Sequence, residues 1–225
     1  MTVSSVIEAV AIDGPASSGK STLAREVAKR LGYTFVDTGS LYRAVALALD
    51  RAGAGDSPED DPRLVAALSA CSVTLEPTPS GVRVFLAGEE VTSLLREERL
   101  GRIASRVSAF PVVRRALFGL QRTLAAAGRI VMDGRDIGTV ILPEARLKIF
   151  LVADPEVRAK RRLLDLERSG QKVSIDTVLS DILERDERDK SRKIAPLVPA
   201  PDALVLDTSH MTVSEAVDWI VDRYH

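Results

Sequence analysis

Short apolar runs alternate with amphipathic stretches along the first fifty residues. Residues 6–12 form an apolar run typical of a buried strand, and the apolar spacing over 23–31 is that of a helix. A second strand over 33–36 and a helix over 41–49 continue the alternation. Alternating strands and helices predict an α/β fold in which helices cover both faces of a parallel sheet.

The middle of the chain breaks this alternation. A helix-like stretch over 62–70 precedes apolar runs at 72–75 and 82–86, which a turn over 77–81 joins into a predicted β-hairpin. Residues 53–95 hold seven acidic side chains and two arginines, whereas residues 96–122 hold seven arginines and two acids. We therefore predict an acidic antiparallel insertion that leads into a basic helical stretch.

The alternation resumes after Gly128. The pattern predicts strands over 130–132, 148–152 and 204–206, and helices over 155–168, over 175–189 and from 213 onward. We predict one domain with a core of about 1–52, 128–156 and 193–225 and an insertion of about 53–110.

Composition and charge narrow the range of partners. The 225 residues include 31 basic and 32 acidic side chains, so the chain lacks the basic excess that favours a nucleic-acid polymer or an anionic membrane. Its apolar runs are far shorter than the ~20 residues that span a bilayer. The first residues also lack the basic segment that precedes the apolar segment of a secretory signal peptide. We expect a cytoplasmic protein. The single cysteine, Cys71, predicts core packing, and the two histidines suggest no transition-metal site.

One motif lies between the first predicted strand and helix. Residues 14–21 match the phosphate-binding pattern G-x-x-x-x-G-K-[ST]. The glycines let backbone N–H groups converge on phosphate oxygens, Lys20 reaches the β and γ phosphates, and Ser21 can ligate Mg²⁺. The predicted ATP-binding residues are Gly14, Pro15, Ala16, Ser17, Ser18, Gly19, Lys20, Ser21 and Thr22.

This motif occurs in several protein classes, which other features separate. The chain contains no asparagine, so it lacks the Asn-Lys-x-Asp segment with which common GTPases read guanine. It is also too short for the additional elements of most motor ATPases. A small phosphotransferase and a nucleotide-gated binding module remain.

Charged residues follow two of the predicted strands. Arg43 comes after the second strand, at the carboxyl edge where open α/β sheets bind ligands, and it is suited to face an anion. Arg135 and Asp136 stand between two glycines after the strand at 130–132, which suggests a backbone shaped to present both side chains to a ligand. The alternatives are a solvated helix arginine for Arg43 and an ordinary turn over 133–138.

Arginines also recur at helical spacing near the C-terminal end. One face carries Arg158, Arg161 and Arg162, and another carries Arg185, Arg188, Asp189 and Arg192. Intrahelical ion pairs among Asp181, Arg185 and Asp189 would explain part of this pattern. Phosphoryl transfer, however, needs cations around a polyanionic transition state, and a mobile lid of about 157–172 could carry them.

Seven segments resemble the bacterial cytidylate kinase family in order and spacing: GPASSGKS, DTGSLYR, SRVSAFPVVR, DGRDIGTVILP, RAKRR, ERDERDKSR and APLVPAPDALVLDTS. The resemblance covers essentially the whole chain. It implies a fold of the P-loop NTPase type, with a small antiparallel insertion in the monophosphate-binding region and a short helical lid. It also implies an enzyme that transfers the γ-phosphate of ATP, with Mg²⁺, to CMP or dCMP. We expect a monomer.

The resemblance further implies residue roles. Arg43 and Arg135 would hold the CMP phosphate with Arg192 nearby, Ser105, Arg114 and Asp136 would read cytosine, and Arg185 and Asp189 would reach the sugar. Thr38, where many relatives have serine, and Tyr42 complete the expected CMP-binding set. The expected catalytic residues are Lys20, Arg135, Arg158 and Arg162. Alternatives are a kinase for AMP, UMP or a non-nucleotide alcohol, and a regulator that binds ATP without turnover.

Overall fold

The computed structural model describes residues 6–78, 81–168 and 170–225, and the side chains of 77 and 81 are not described. The chain divides into two compact units. The first comprises the chain through Tyr33 together with Gly128–His225, and the second comprises Thr34–Ala127.

The helices and strands follow one another in this order: β1 (Ile7–Asp13), α1 (Lys20–Leu31), β2 (Thr34–Asp37), α2 (Thr38–Arg51), α3 (Pro62–Ser69), β3 (Val73–Thr78), β4 (Gly81–Leu86), β5 (Glu89–Glu90), a 3₁₀ helix (Leu94–Arg96), α4 (Glu98–Val107), α5 (Pro111–Ala126), β6 (Ile130–Gly134), a π-helix (Ile137–Ile141), β7 (Ala145–Val152), α6 (Pro155–Arg168), α7 (Ile175–Lys190), β8 (Leu204–Asp207) and α8 (Val213–Tyr224).

The first unit contains parallel strands in the order β6-β1-β7-β8. Val10 of β1 pairs with Val131 on one side and Leu147 on the other, so β1 is central among these strands. The five residues 9–13 of β1 are all buried, as expected for a strand covered on both faces. Helix α1 packs on β6 and on α8, while α6 and α7 pack on each other through a separate apolar cluster.

The register of these strands determines where the polar loops emerge. Asp13 at the end of β1 aligns with Gly134 at the end of β6, so the loops that follow both strands leave the same edge of the sheet. In parallel sheets this carboxyl edge is where ligands bind. Residues 14–19 and residues 135–136 therefore lie next to each other within the first unit.

The second unit has its own core. Leu41, Leu49, Leu64 and Leu100 are fully buried in one apolar cluster, in which α2 packs on α4. Its antiparallel sheet has the order β3-β4-β5, and Val73 pairs with Leu86. The apolar faces of α2, α3 and α4 thus share one core with a short hairpin, which packs on α2.

The predicted fold class is confirmed: the structure contains a mostly parallel sheet with helices and a small antiparallel sheet. The hairpin forms as predicted, although Pro79 and Ser80 of its turn lie outside the described residues. The sequence analysis missed β5 and the π-helix. It also placed the start of β7 at 148, whereas pairing of Ala145 with Ile7 extends this strand three residues earlier. The proposed boundaries of core, insertion and lid stay a prediction.

Candidate active site

The loop after β1 has the backbone that a phosphate-binding loop requires. Gly14 has a φ of 154°, and a Cβ there would lie 2.5 Å from the carbonyl oxygen of Leu151, so any other residue would clash. Gly19 precedes α1 in the left-handed conformation, with a φ of 86°. The loop thus ends at the N-terminus of a twelve-residue helix, where N–H groups and the helix dipole favour an anion.

Lys20 is enclosed by this loop. Its Nζ donates to the carbonyl oxygen of Pro15 at 2.6 Å and to the Ser18 hydroxyl at 3.3 Å. Burial lowers the pKa of Lys20 well below its usual range, and the positive charge of Arg135 lowers it further. Arg185 acts in the same direction, whereas Asp133 opposes the shift. Because these buried positive charges repel one another, the site favours the binding of a polyanion.

Ser21 contacts a carboxylate that the sequence analysis did not select. Its hydroxyl donates to Asp133 Oδ2 at 2.7 Å, and Asp133 is buried near the end of β6. A hydroxyl and a carboxylate are oxygen ligands of the kind that Mg²⁺ prefers. Among the described residues, no group of three or more histidine, cysteine or acidic side chains could hold a metal by itself. Any Mg²⁺ here would complete its coordination with phosphate oxygens and water.

Arg158 and Asp186 form a buried ion pair at the phosphate loop. Arg158 Nη1 lies 2.6 Å from Asp186 Oδ2, and both side chains are almost completely buried. The same guanidinium nitrogen donates to the carbonyl oxygen of Ala16 at 3.0 Å, while the N–H of Ala16 donates to Asp186 Oδ1 at 3.2 Å. The carbonyl oxygen of Ala16 is thus held by α6, and its backbone N–H is held by α7. Removing one partner of such a pair commonly costs about 3–5 kcal/mol of stability.

The other two arginines of the predicted α6 face differ in their contacts. Arg161 donates to the carbonyl oxygen of Thr208 at 2.7 Å and to that of Ser18 at 3.4 Å, so it also borders the phosphate loop. Arg162 is half-buried on the same helix. The α6 face therefore carries two arginines that already contact loop carbonyls.

Arg135 meets the predicted face of α7 through Asp189. Arg135 Nε donates to Asp189 Oδ2 at 2.7 Å, and Arg192 Nη2 lies 3.5 Å from Asp189 Oδ1. Burial alone would raise the pKa of Asp189, but the charges of Arg135 and Arg192 outweigh it and hold this pKa below its usual range. Asp189 of α7 thus pairs with Arg135 from the loop after β6. The alternative interpretation, with intrahelical pairs alone, did not include this contact. Arg188 instead pairs with Glu184 at 2.7 Å on a more exposed side.

The second unit holds Thr38, Tyr42, Arg43, Ser105 and Arg114 of the predicted set. Arg43 is half-buried and donates to the carbonyl oxygen of Leu95 at 2.9 Å, so it is not a solvated helix arginine. The guanidinium of Arg114 lies 5.8 Å from the centre of the Tyr42 ring and donates to the carbonyl oxygen of Ser108 at 3.2 Å. Ser105 and Arg114 are buried in this unit, as is Thr38 at the start of α2. The structure therefore brings Tyr42 and Arg114 together.

A glycine loop that leads into a helix is followed here by a buried lysine and by a serine paired with a carboxylate. These features define a P-loop nucleotide-binding protein. Comparison with known proteins gives the family. The cytidylate kinase family model matches residues 10–225, and the chain belongs to this family. Similar proteins include the cytidylate kinase of Pelotomaculum thermopropionicum, 46% identical over 215 residues that cover 95% of this chain and 94% of that protein.

A second relative agrees with this, and one solved structure shares the fold. The cytidylate kinase of Chlorobaculum tepidum is 47% identical over 217 residues, covering 95% of this chain and 91% of that protein. Among solved structures, an uncharacterized protein from Eubacterium ventriosum matches with a TM-score of 0.52 and 16% identity, covering 96% of this chain and 97% of that one. At this identity the likeness shows the fold alone. Within the described residues, no helix is long and apolar enough to cross a membrane.

Proposed function

We propose that this enzyme transfers the γ-phosphate of ATP, bound with Mg²⁺, to CMP or dCMP and releases ADP with CDP or dCDP. The observation that carries the proposal is the phosphate loop: it turns at Gly14 and Gly19 into the N-terminus of α1 and encloses the amine of Lys20. Backbone N–H groups and a cation arranged in this way suit a site that receives several phosphate charges at once.

The phosphate loop, residues 14–22, binds the phosphates of ATP in this proposal. Its N–H groups and Lys20 take up the negative charge of the β and γ phosphates. Once phosphate is bound, Lys20 exchanges its contacts with Pro15 and Ser18 for phosphate oxygens, and the anion restores the preference for the charged amine.

Mg²⁺ fits the residues present at the end of β6. Ser21 and Asp133 already approach each other, and their oxygens are ligands that the ion accepts. Ser21 and Asp133 would hold Mg²⁺ together with the nucleotide, and the bound ion would supply charge neutralisation at the phosphates.

The acceptor is bound by residues for which the family resemblance implies CMP contacts. We assign the CMP phosphate to Arg43 and Arg135 with Arg192, and the cytosine to Ser105, Arg114 and Asp136. Arg185 and Asp189 are assigned to the sugar, and Thr38 and Tyr42 complete the set. The burial of Arg114 and Asp136 supports base recognition, because a buried polar group discriminates strongly between complementary and opposing partners.

No dedicated general base is needed, because the attacking group is a phosphate that is already ionised. The chain's own contribution is to align the two nucleotides, neutralise charge and exclude water. We assign charge neutralisation at the transferred group to Lys20, Arg135, Arg158 and Arg162. Asp186 holds Arg158 against Ala16, so this arginine is positioned before any ligand arrives.

The proposed lid makes a prediction about hydrogen exchange. Arg158 and Arg161 already contact the phosphate loop, so the first turns of α6 are expected to be protected without ligand. Joint binding of an unreactive ATP analogue and CMP should slow exchange mainly over 162–172, by about tenfold or more, if these residues close over the nucleotides. Measurements on the free, singly bound and doubly bound enzyme test this. Unchanged exchange over 162–172 in the doubly bound enzyme would contradict a closing lid.

A panel of acceptors tests the proposed reaction. A related kinase would prefer AMP, UMP or a non-nucleotide alcohol, and a regulator would bind ATP with no turnover on any acceptor.

We further propose that the enzyme acts as a monomer in the cytoplasm, where ATP and CMP are available to it.

A further inference from the structure

Asp13 is a buried carboxylate that none of the assigned roles includes. It is the last residue of β1, directly before Gly14, and only 4% of it is exposed. Its Oδ1 accepts the backbone N–H of Ile137 and its Oδ2 accepts that of Gly138, both at 2.8 Å. One side chain thus joins the strand that opens the phosphate loop to the segment that follows Arg135 and Asp136.

These two N–H groups begin the π-helix Ile137–Ile141. The first N–H groups of any helix have no carbonyl partner inside it, so a buried helix start needs an acceptor from elsewhere. Asp136 occupies the residue before the helix, yet its side chain makes no capping hydrogen bond. The cap is supplied by Asp13, which is 124 residues from Ile137 along the chain.

The packing around Gly138 keeps this arrangement tight. A Cβ on Gly138 would lie 3.4 Å from Asp13 Oδ2 and 3.2 Å from Cδ of Lys148. Glycine therefore allows the N–H of residue 138 to approach the carboxylate closely. Lys148, whose side chain is nearly buried, is itself held by Asp202 at 2.6 Å.

The surroundings of Asp13 shift the pKa of its carboxyl group. Burial, opposed by the two N–H groups, raises the pKa of Asp13 to about 6; Asp136 raises it further and Lys20 lowers it. Because this pKa is higher in the folded than in the unfolded chain, the contribution of Asp13 to stability decreases as the pH rises from about 4 to about 6.

We infer that Asp13 is a positioning residue for the acceptor: by capping the π-helix from β1, it fixes Arg135 and Asp136 relative to the phosphate loop. The inference rests on the proposed function, in which these two residues contact CMP. The donor side depends less on this cap, because β1 is held by β6 and β7 on its two sides. Loss of the cap should therefore affect CMP much more than ATP.

Asp13→Asn tests this inference, since its amide keeps one acceptor but turns an NH₂ group toward the second backbone N–H. We expect kcat/KM for CMP to fall by roughly 10- to 100-fold, because small displacements of positioning groups have effects of this size. The Kd of an unreactive ATP analogue should change by less than about threefold. Kinetics and calorimetry at one pH give both quantities.

Val10→Ala is the matched control, because it removes fully buried atoms from the same strand without touching the carboxylate. It should lower the melting temperature while leaving the constants for CMP and the ATP analogue near those of the wild type. Asp13→Asn with a normal kcat/KM for CMP, or with CMP and the ATP analogue weakened by equal factors, would overturn the inference.

A measurement on the wild-type enzyme covers the case in which Asp13→Asn does not fold. In the nucleotide-free enzyme, the N–H groups of Ile137 and Gly138 should exchange at least about 100-fold more slowly than unstructured amides, and rapid exchange would overturn the cap.

Wild-type turnover of CMP separates the two proposals. An active wild type with a normal Asp13→Asn variant refutes only the positioning role, whereas a wild type that does not use CMP refutes the proposed function.

Discussion

Lys20→Met is expected to lower turnover by at least about 100- to 1,000-fold while leaving the melting temperature unchanged or slightly raised. Removing a preorganised cation from the transition state commonly costs ~3 kcal/mol or more. Folding should not suffer, because burial and nearby arginines already disfavour the charge of Lys20 in the free enzyme. Steady-state kinetics and thermal unfolding of the same preparations measure the two effects.

Lys29→Met provides the control for this substitution. Lys29 is exposed in the last turn of α1, so the change removes the same charge from the same helix away from the phosphate loop. Its turnover should match that of the wild type. Near-normal turnover of Lys20→Met would show that this lysine does not act on the transferred phosphate.

Asp136→Asn is expected to reduce the preference for CMP over UMP by roughly 5- to 150-fold, mainly through loss of activity on CMP. Cytosine presents an amino donor at C4, whereas uracil presents an oxygen there. A buried carboxylate accepts from the amine and opposes the oxygen, while an amide can rotate to donate to it. Leaving one buried polar group unpaired costs ~1 to 3 kcal/mol, which gives this range.

The position of Asp136 makes the variant informative. The residue is buried, and because Asp13 caps the π-helix, replacing the carboxylate of Asp136 removes no helix cap. Asp218→Asn, at an exposed ion pair with Arg30, is the matched control and should keep both specificity constants. A folded Asp136→Asn enzyme with the wild-type ratio of CMP to UMP would mean that the base is read by other residues.

The elements of the first unit could be predicted because their signals are local. The apolar run of β1, the glycines of the phosphate loop and the helical spacing of α1 lie within a span of about 25 residues, and each requires the conformation that the structure shows. The hairpin of β3 and β4 also follows from adjacent apolar runs and a turn. Most of the fold could therefore be predicted from signals between neighbouring residues.

Contacts between distant residues were not predictable from one sequence. Asp133 meets Ser21 across 112 residues, and Asp186 meets Ala16 across 170. A partial signal existed, since Ile182, Asp186 and Asp189 recur at helical spacing on the buried face of α7, where acids are unexpected. The π-helix left no pattern in the sequence, because its start depends on a carboxylate that another strand supplies.

Arg43 shows why tertiary structure decides the role of a helical arginine. Its spacing allowed either a solvated side chain or one directed at an anion. The hydrogen bond to Leu95, 52 residues away, fixes the guanidinium in a half-buried place that helix periodicity alone does not reveal. Arg158 is a similar case, since its ion pair with Asp186 joins two helices.

The most direct test of the proposed reaction is ADP release by the wild-type enzyme with ATP, Mg²⁺ and one acceptor at a time: CMP, dCMP, UMP, AMP and a non-nucleotide alcohol. We predict the highest kcat/KM for CMP or dCMP, at least about tenfold above the other acceptors, and almost no ADP without an acceptor. The Lys20→Met enzyme should give only background in every assay. A higher kcat/KM for any other acceptor, or no turnover on all of them, would contradict the proposed function.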